Sequence, residues 1–527
     1  MPRLGALIAV LPYRMRQRDL SFYSPPFYNT LQMLPSFSSG LSATEWCSIK
    51  PRLQLIRSGA LVALNQYSVA VNPGSQWGRA HVCSTQAAIE ILLSLPGNED
   101  LRPANPGGKN SAETYFCAVL GPFMADWALQ FETLFPSMQV PTISARDTWL
   151  VSSVQVKLTR AQCLSLVCLG FFGYSPKASS DDSRGGVSCL GELGSLNWDA
   201  VLMSPTASCG VHRLAALFAY CEWFRNMLLV MQSSGIAESV QPTILTEKVT
   251  FARQRSRLED LPNFAASEVP VFFPPENPTV FGSDFAECGV LIDRRLIEQF
   301  ERGEAHVDFA NRQLHIGTII PSCTQEEIMF TVRPELYASL VVFDTLDDDE
   351  AAVISNALTL TTYSGYLSTF TVTGIHPDPS GHRCAVIAID AHINQGGQFD
   401  RDMVRRDMAK ALTGFRLCRE ARAIATGPWG CGVFRGDKTL KFVQQAVAAA
   451  LCEPRKYLYY HAADADVARL QALARGMAAL RLTCGWVYAN LDEYRTVIRS
   501  RLPSPDPPTY VDFLERSLYT MQSEVEP

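Results

Sequence analysis

Two adjacent carboxylates, Glu326 and Glu327, are the residues of this chain best suited to chemistry. They open a predicted helix, Gln325–Phe330, after a stretch that reads as strand and loop. Adjacent side chains cannot share one face of a helix or strand. If both carboxylates act, one points at a substrate and the other holds it there. The structural alternative is a capping box, in which Thr324 and Glu327 satisfy orphan backbone N–H groups at the helix start.

A second candidate lies about a hundred residues on, where Ala423–Asp437 reads AIATGPWGCGVFRGD. A strand-like run precedes it, and a good helical pattern, KTLKFVQQAVAAAL, follows. Gly427, Gly430, Gly432 and Gly436 let the backbone turn sharply and present N–H groups, a geometry that suits a phosphate or diphosphate at a helix N-terminus. Asp437 separates Gly436 from Lys438-Thr439, so the G-K-[ST] of a P-loop is broken. Tyr363, Gly365 and Tyr366 lie between the two sites, where a ring could cover a sugar or base. An acid, an aromatic cover and a diphosphate cradle suit cleavage of a glycosidic bond in a nucleoside-diphosphate sugar.

These residues need a scaffold. After about residue 285, short Val/Ile-rich runs alternate with amphipathic helical patterns. Strands are predicted at Leu340–Leu346, Ala352–Leu360, Cys384–Asp390, Ala421–Thr426 and Lys456–Tyr460. Helices are predicted near Gln325–Phe330, Asp402–Leu412, Lys438–Leu451 and Asp464–Leu480. Such alternation indicates an α/β layer fold with a buried mixed sheet. From Thr148 to about Met231 the pattern reads as helical, with Thr159 capping Leu158–Phe172 and a long helix at His212–Gln232. Ser175–Gly194 reads as a polar loop, and Val269–Pro278 as a turn-rich boundary. The expected domains are an N-terminal extension of unclear structure (1–145), a helical accessory domain (146–265), a catalytic domain (266–500) and a C-terminal tail (501–527).

Bulk composition narrows the partners. The 527 residues are 47% hydrophobic and 19% charged, those of a globular protein. A net charge of −6 supplies no general basic field, so a polyanion would need a local patch or backbone donors. Fifteen cysteines without a C-x-x-C pair, and eight histidines without H-E-x-x-H, argue for free thiols and against a metal or a disulfide framework. No apolar run is expected to reach the roughly 20 residues of a membrane span. Leu4–Leu11, followed by Arg14, Arg16 and Arg18, is short for a signal segment. The default there is a lightly packed N-terminal segment, with an organellar presequence as the alternative.

Taken together, the motifs resemble the eukaryotic-type poly(ADP-ribose) glycohydrolase family. They are Val307-Asp308-Phe309-Ala310-Asn311, Gln325-Glu326-Glu327, Tyr363-Ser364-Gly365-Tyr366, Ala388-Ile389-Asp390-Ala391 and Ala425-Thr426-Gly427 with Trp429-Gly430-Cys431-Gly432. Val249-Thr250-Phe251 and Leu258-Glu259-Asp260 extend the likeness upstream, to a coverage of roughly residues 150 to 495. The resemblance implies an α/β fold, a macrodomain-like mixed sheet flanked by helices, with an N-terminal, mostly helical accessory domain. It implies Glu327 as the acid that protonates the leaving ribose hydroxyl and then activates water, and Glu326 as the group orienting the ribose. It implies Asp308, Asn311, Gln325 and Gly317 around that ribose and Tyr366 on the substrate. Gly427, Gly430, Cys431, Gly432, Val433 and Phe434 would line the diphosphate site. No cofactor and no metal are implied. The implied partners are poly(ADP-ribose) and ADP-ribosylated proteins, with no sequence-specific nucleic-acid contact and no membrane. A monomer in the nucleus and/or cytoplasm, acting in the DNA damage response, completes the expectation.

The chain departs from the family pattern at three points. His315-Ile316-Gly317 replaces a Gly-Gly-Gly run, Pro428 stands for an asparagine, and a family aromatic is replaced near His461-Ala462. Isoleucine and histidine are poor substitutes where backbone must approach a ligand at positive φ. One reading of His315 is a group titrating near neutral pH that serves as a substitute ligand. The functional expectation is hydrolysis of ribose–ribose O-glycosidic bonds, releasing ADP-ribose. The alternative is a catalytically impaired binder of ADP-ribose or its polymer.

Overall fold

In the computed structural model, the Val/Ile-rich runs assemble into one eight-stranded sheet that both hydrophobic cores share. The structure describes residues 37–527 apart from 68–70, 72–77, 97, 99–110, 179–192, 207, 234–242, 275–287, 301–304, 380, 382, 394–396, 501–507 and 526–527. The expectations for the first 36 residues and for most of the Ser175–Gly194 loop therefore lie outside the described residues. In chain order the described strands are β1 (Phe37–Gly40), β2 (Gln139–Thr142), β3 (Ser153–Thr159), β4 (Lys177–Ala178), β5 (Lys248–Arg255), β6 (Val290–Asp293) and β7 (Ala305–Ala310). They continue with β8 (Glu350–Leu358), β9 (Thr361–Ser364), β10 (Thr371–Ile375), β11 (Arg383–Asp390), β12 (Ala423–Thr426) and β13 (Tyr457–His461).

The large sheet has the order β3-β5-β8-β11-β7-β12-β13-β6. Strands β11, β7, β12, β13 and β6 run parallel, while β3, β5 and β8 add an antiparallel edge. Alternation along β11 shows why it is central. Val386 and Ala388 enter the core that holds helices Arg160–Phe171 and Cys209–Ser233, whereas Ile387 and Ile389 enter the core on the other face. Helices Arg401–Leu417, Lys438–Ala450, Asp464–Ala479, Cys484–Ser500 and Tyr510–Val525 contribute to that second core. A strand buried on both faces reads as a continuous apolar run, which is how β11 and β12 read. The fold is an α/β layer with a mixed sheet.

Thr159 caps Arg160–Phe171 as predicted, accepting from the N–H of Gln162. Arg160 then reaches from that helix start to Glu335 with two N–H···O contacts of 2.6–2.7 Å, and Glu335 also accepts from the N–H of Leu358. A buried pair of this kind is costly to break on one side, so it locks the helical layer to the sheet.

Several expectations are corrected. Ser153–Thr159, read as part of a helical stretch, is a strand with Val154, Val156 and Leu158 buried in alternation. Leu340–Leu346 is not a strand. Pro334–Ala338 and Ser339–Val342 are helical turns, because a short, fully buried apolar run has no period of its own. Beyond residue 507, the C-terminal tail forms the helix Tyr510–Val525, whose Tyr510, Leu514 and Leu518 pack at a four-residue spacing. Helix Cys209–Gln232 is long and apolar enough to cross a membrane, contrary to the expectation from run length. Its apolarity has another use here. It passes through a protein core and carries the fully buried Arg213.

Candidate active site

The ends of the parallel strands place the predicted residues around one cavity of about 450 Å³. Asn311 follows β7, Ala391 follows β11, Pro428–Phe434 follow β12, and His461 closes β13. Parallel α/β sheets bind ligands at these carboxyl ends. Helix Gln325–Val332 brings Gln325 and Glu326 to the wall, and Tyr366 covers one side. The volume lies within the roughly 300–1,000 Å³ of small-molecule sites.

The two carboxylates diverge, as adjacency requires. Glu326 turns to the cavity and accepts from the Asn311 side chain at 3.0 Å and the His315 N–H at 2.5 Å. Glu327 turns back over its own helix start, where it accepts from the N–H and the hydroxyl of Thr324. The capping contact and the second carboxylate are thus the same group. Burial and the neighbouring Glu327 push the Glu326 carboxyl up to about 8. Burial alone would also raise Glu327. The Arg213 charge and the Thr324 hydrogen bonds, with His315 adding only in its protonated form, outweigh it and hold Glu327 below its ordinary value. The surroundings thus favour the protonated form at Glu326 and the charged form at Glu327. Of the two, only Glu326 lines the cavity.

Behind them, Asp308 on β7 is fully buried, and both carboxyl oxygens lack a hydrogen-bond partner. Burial, with Glu326 and Glu327 adding, drives it well above the usual carboxylate range, which favours its neutral form. Gln325 splints the helix to β7, accepting from the Phe309 N–H at 2.8 Å and donating to the Val307 carbonyl at 3.1 Å. Its amide also donates to Glu298, which in turn accepts from the Tyr363 hydroxyl at 2.7 Å.

The loop Leu314–Gly317 keeps a left-handed path without its expected glycines. His315 has φ 54°, Ile316 51° and Gly317 72°. The His315 ring is buried away from the cavity, against Phe330 and Tyr337. Its Nδ1–H donates to the Thr318 carbonyl at 2.7 Å, and its Nε2 accepts from Arg213 at 2.8 Å. Burial and Arg213 lower its pKa to about 4. The reading of His315 as a neutral-pH ligand group is therefore corrected: it is an uncharged anchor. Arg213 also donates to Thr331, Tyr337 and the carbonyls of Ile320 and Ser322. Gly317 does not line the cavity, and its carbonyl accepts from Ser195.

In the second loop, Trp429 is fully buried and donates to the Ile389 carbonyl at 2.9 Å, tying the loop to β11. Gly430 has φ 72°, and a Cβ there would lie 2.4 Å from that of Ala391, so only glycine fits. Among the described residues, the N–H groups of Gly430, Gly432, Val433 and Phe434 donate to nothing. The following helix start is different. Asp437 caps it through the Leu440 N–H, so a carboxylate fills the place a P-loop phosphate would take. Gly427 lies behind the cavity wall, its carbonyl held by Gln445 and the Trp429 N–H. Glu298, Lys438, His461 and Arg213 were not assigned site roles from sequence. A lone arginine in an apolar helix was the one available signal.

Fold and cavity define an α/β protein with a mixed sheet and a nucleotide-sized site bearing adjacent carboxyls. Residues 285–469 match the family described as poly(ADP-ribose) glycohydrolase, macro domain fold. The chain is 30% identical over 193 residues to Poly(ADP-ribose) glycohydrolase 2 of Caenorhabditis elegans, covering 32% of this chain and 40% of that one. It is 25% identical over 323 residues to Poly(ADP-ribose) glycohydrolase 1 of Arabidopsis thaliana, covering 46% and 58%. The chain thus spans about half the length of these relatives. A solved poly(ADP-ribose) glycohydrolase from Deinococcus radiodurans, in complex with ADP-ribose, shares 16% identity over 42% of this chain and 99% of its own. The TM-score of that match is 0.28.

Proposed function

We propose that this chain hydrolyses the ribose–ribose O-glycosidic bonds of poly(ADP-ribose) and releases ADP-ribose. The observation that carries this reading is the adjacent carboxyl pair, with Glu326 on the wall of a cavity that also presents free backbone N–H groups. The N–H groups of Gly430–Phe434 suit a diphosphate, Tyr366 suits a base or sugar face, and Asn311 with Glu326 suits ribose hydroxyls. For turnover, Glu327 exchanges its Thr324 contacts for substrate and takes the pair's proton. It donates that proton to the leaving ribose oxygen as the glycosidic bond breaks. As a carboxylate it then removes a proton from the water that adds to the oxocarbenium-like carbon. Glu326, ionised at that stage, orients the ribose. Asp308 holds the wall neutral. We place the activity in the nucleus and/or cytoplasm, on ADP-ribosylated proteins formed after DNA damage, with the chain acting as a monomer.

A second reading has its own observation. Glu327 is engaged by Thr324 and does not line the cavity, Ile316 sits 44% exposed in the left-handed loop, and Pro428 removes one donor. This favours a binder of ADP-ribose or its polymer with impaired turnover. One experiment separates the two: purified protein is incubated with labelled poly(ADP-ribose), with Glu327→Gln as control. Release of ADP-ribose that the substitution abolishes is the expected result. Tight binding without release establishes the second reading.

A further inference from the structure

Among the described residues that line the large cavity, Lys438 is the only lysine or arginine. It opens the helix Lys438–Ala450, directly after the glycine loop, and its ammonium meets the Asp466 carboxylate at 2.6 Å. Asp466 lies in the first turn of helix Asp464–Ala479, so one reading of the pair is a tie between two helix starts. The two side chains are 53% and 32% exposed, and an ion pair so open to solvent adds little to stability. Lys441, by contrast, is buried, bound to Asp407 and set against the Trp429 ring. Asp437 is committed as the cap of its helix.

The free N–H groups of Gly430, Gly432, Val433 and Phe434 line the same cavity as Lys438. Cys431, among them, lies close enough to feel both charges of the pair. Burial pushes its thiol up to about 12, and the charges acting on it are Lys441, Asp437, Lys438 and Asp466. Backbone N–H groups are dipoles without net charge, Pro428 supplies none, and a net charge of −6 offers no general attraction. A diphosphate held by the loop therefore gains from a cation beside it. Lys438 has the flexible stem and the three donors to serve, and its present partner is easily exchanged. We propose that Lys438 is a ligand-binding residue whose ammonium leaves Asp466 for a phosphate oxygen when a diphosphate enters. Asp466 then competes with the ligand for that ammonium. The assignment rests on the reading of the cavity as an ADP-ribose site.

The test is calorimetric titration of ADP-ribose into the full chain and its Lys438→Met, Asp466→Asn and doubly substituted variants, at low and high salt. Both side chains reach solvent, so the variants should fold as wild type does. Lys438→Met should weaken binding by about fivefold or more and flatten its salt dependence. Asp466→Asn should tighten binding by about twofold or more, because it frees the ammonium. In the Lys438→Met background, Asp466→Asn should lose that gain. A purely structural pair predicts no gain or a loss on Asp466→Asn, and either result overturns the proposal. So does an unchanged affinity in Lys438→Met. A gain on Asp466→Asn that persists at full size without Lys438 also overturns it, since the carboxylate would then act by repelling the ligand. Absence of ADP-ribose binding to wild type would instead overturn the reading of the cavity itself, and this assignment with it.

Discussion

Two loops border the carboxyl pair, and they reach a similar backbone geometry by opposite means. The loop after β12 relies on glycine: Gly430 takes φ 72° where a side chain would strike Ala391. The loop Leu314–Gly317 takes nearly the same dihedral at His315 and Ile316, which are neither glycine nor asparagine. Left-handed backbone costs an ordinary residue roughly 1–2 kcal/mol. Here the cost is offset by an anchor, because the His315 ring accepts from a buried arginine that ties down the following residues as well. Glycine permits a conformation, whereas the Arg213–His315 contact imposes one. The N–H that reaches Glu326 is therefore positioned from behind, by a helix outside the matched segment.

Removing the anchor is expected to have the largest effect. Arg213→Met leaves five partners unsatisfied, among them His315 and the carbonyls of Ile320 and Ser322, and should destabilise the chain by about 3 kcal/mol or more in denaturant titration. Arg213→Lys should not rescue it, since one ammonium cannot serve all these acceptors. A loss under about 1 kcal/mol would mean that the loop holds its own shape.

On the glycine side, Gly430→Ala should cost about 2 kcal/mol from strain and overlap, and should weaken ADP-ribose binding measured by calorimetry. The matching experiment on the carboxyl pair is a pH series. Glu326 has a folded pKa of about 8, above the roughly 4.3 of an unfolded chain. Between those values the folded state keeps a proton that the unfolded state has lost, so stability falls as pH rises through the window. Glu326→Gln removes that dependence. Its stability relative to wild type, read by denaturant titration at each pH, should rise from pH 5 to pH 9. A difference that stays flat with pH would place the proton elsewhere.

Ile316→Gly tests the comparison most finely. Relief of left-handed strain and the added entropy of the unfolded glycine oppose each other, so the net change should stay within about 1 kcal/mol. Faster release from poly(ADP-ribose) in this variant would show that the isoleucine side chain obstructs the site.

Much of this was legible in the chain. Glu326, Tyr366 and the glycines of the Gly430–Phe434 loop were named from residue types and order, Asn311, Gln325, Val433 and Phe434 through the family resemblance, and all of them line one cavity. Helix Lys438–Ala450 follows the period its own residues display, and strands β8, β11 and β12 read as short apolar runs of strand length. Where the reading went astray, the local signal was ambiguous or absent. Leu340–Leu346 is apolar on every side and has no period, and Glu298 enters the site from a short turn with no motif around it.

Local sequence thus determined the identity of the acids, the capping geometry that separates them, and the glycines a close turn demands. These follow from covalent adjacency and side-chain sterics, which act within a few residues. Only the tertiary structure decided which carboxyl faces the cavity and which holds the proton. Those outcomes depend on burial and on charges brought from distant parts of the chain, such as Arg213 near Glu327. It also decided that His315 is a buried anchor rather than a ligand, because a ring's role follows from what surrounds it.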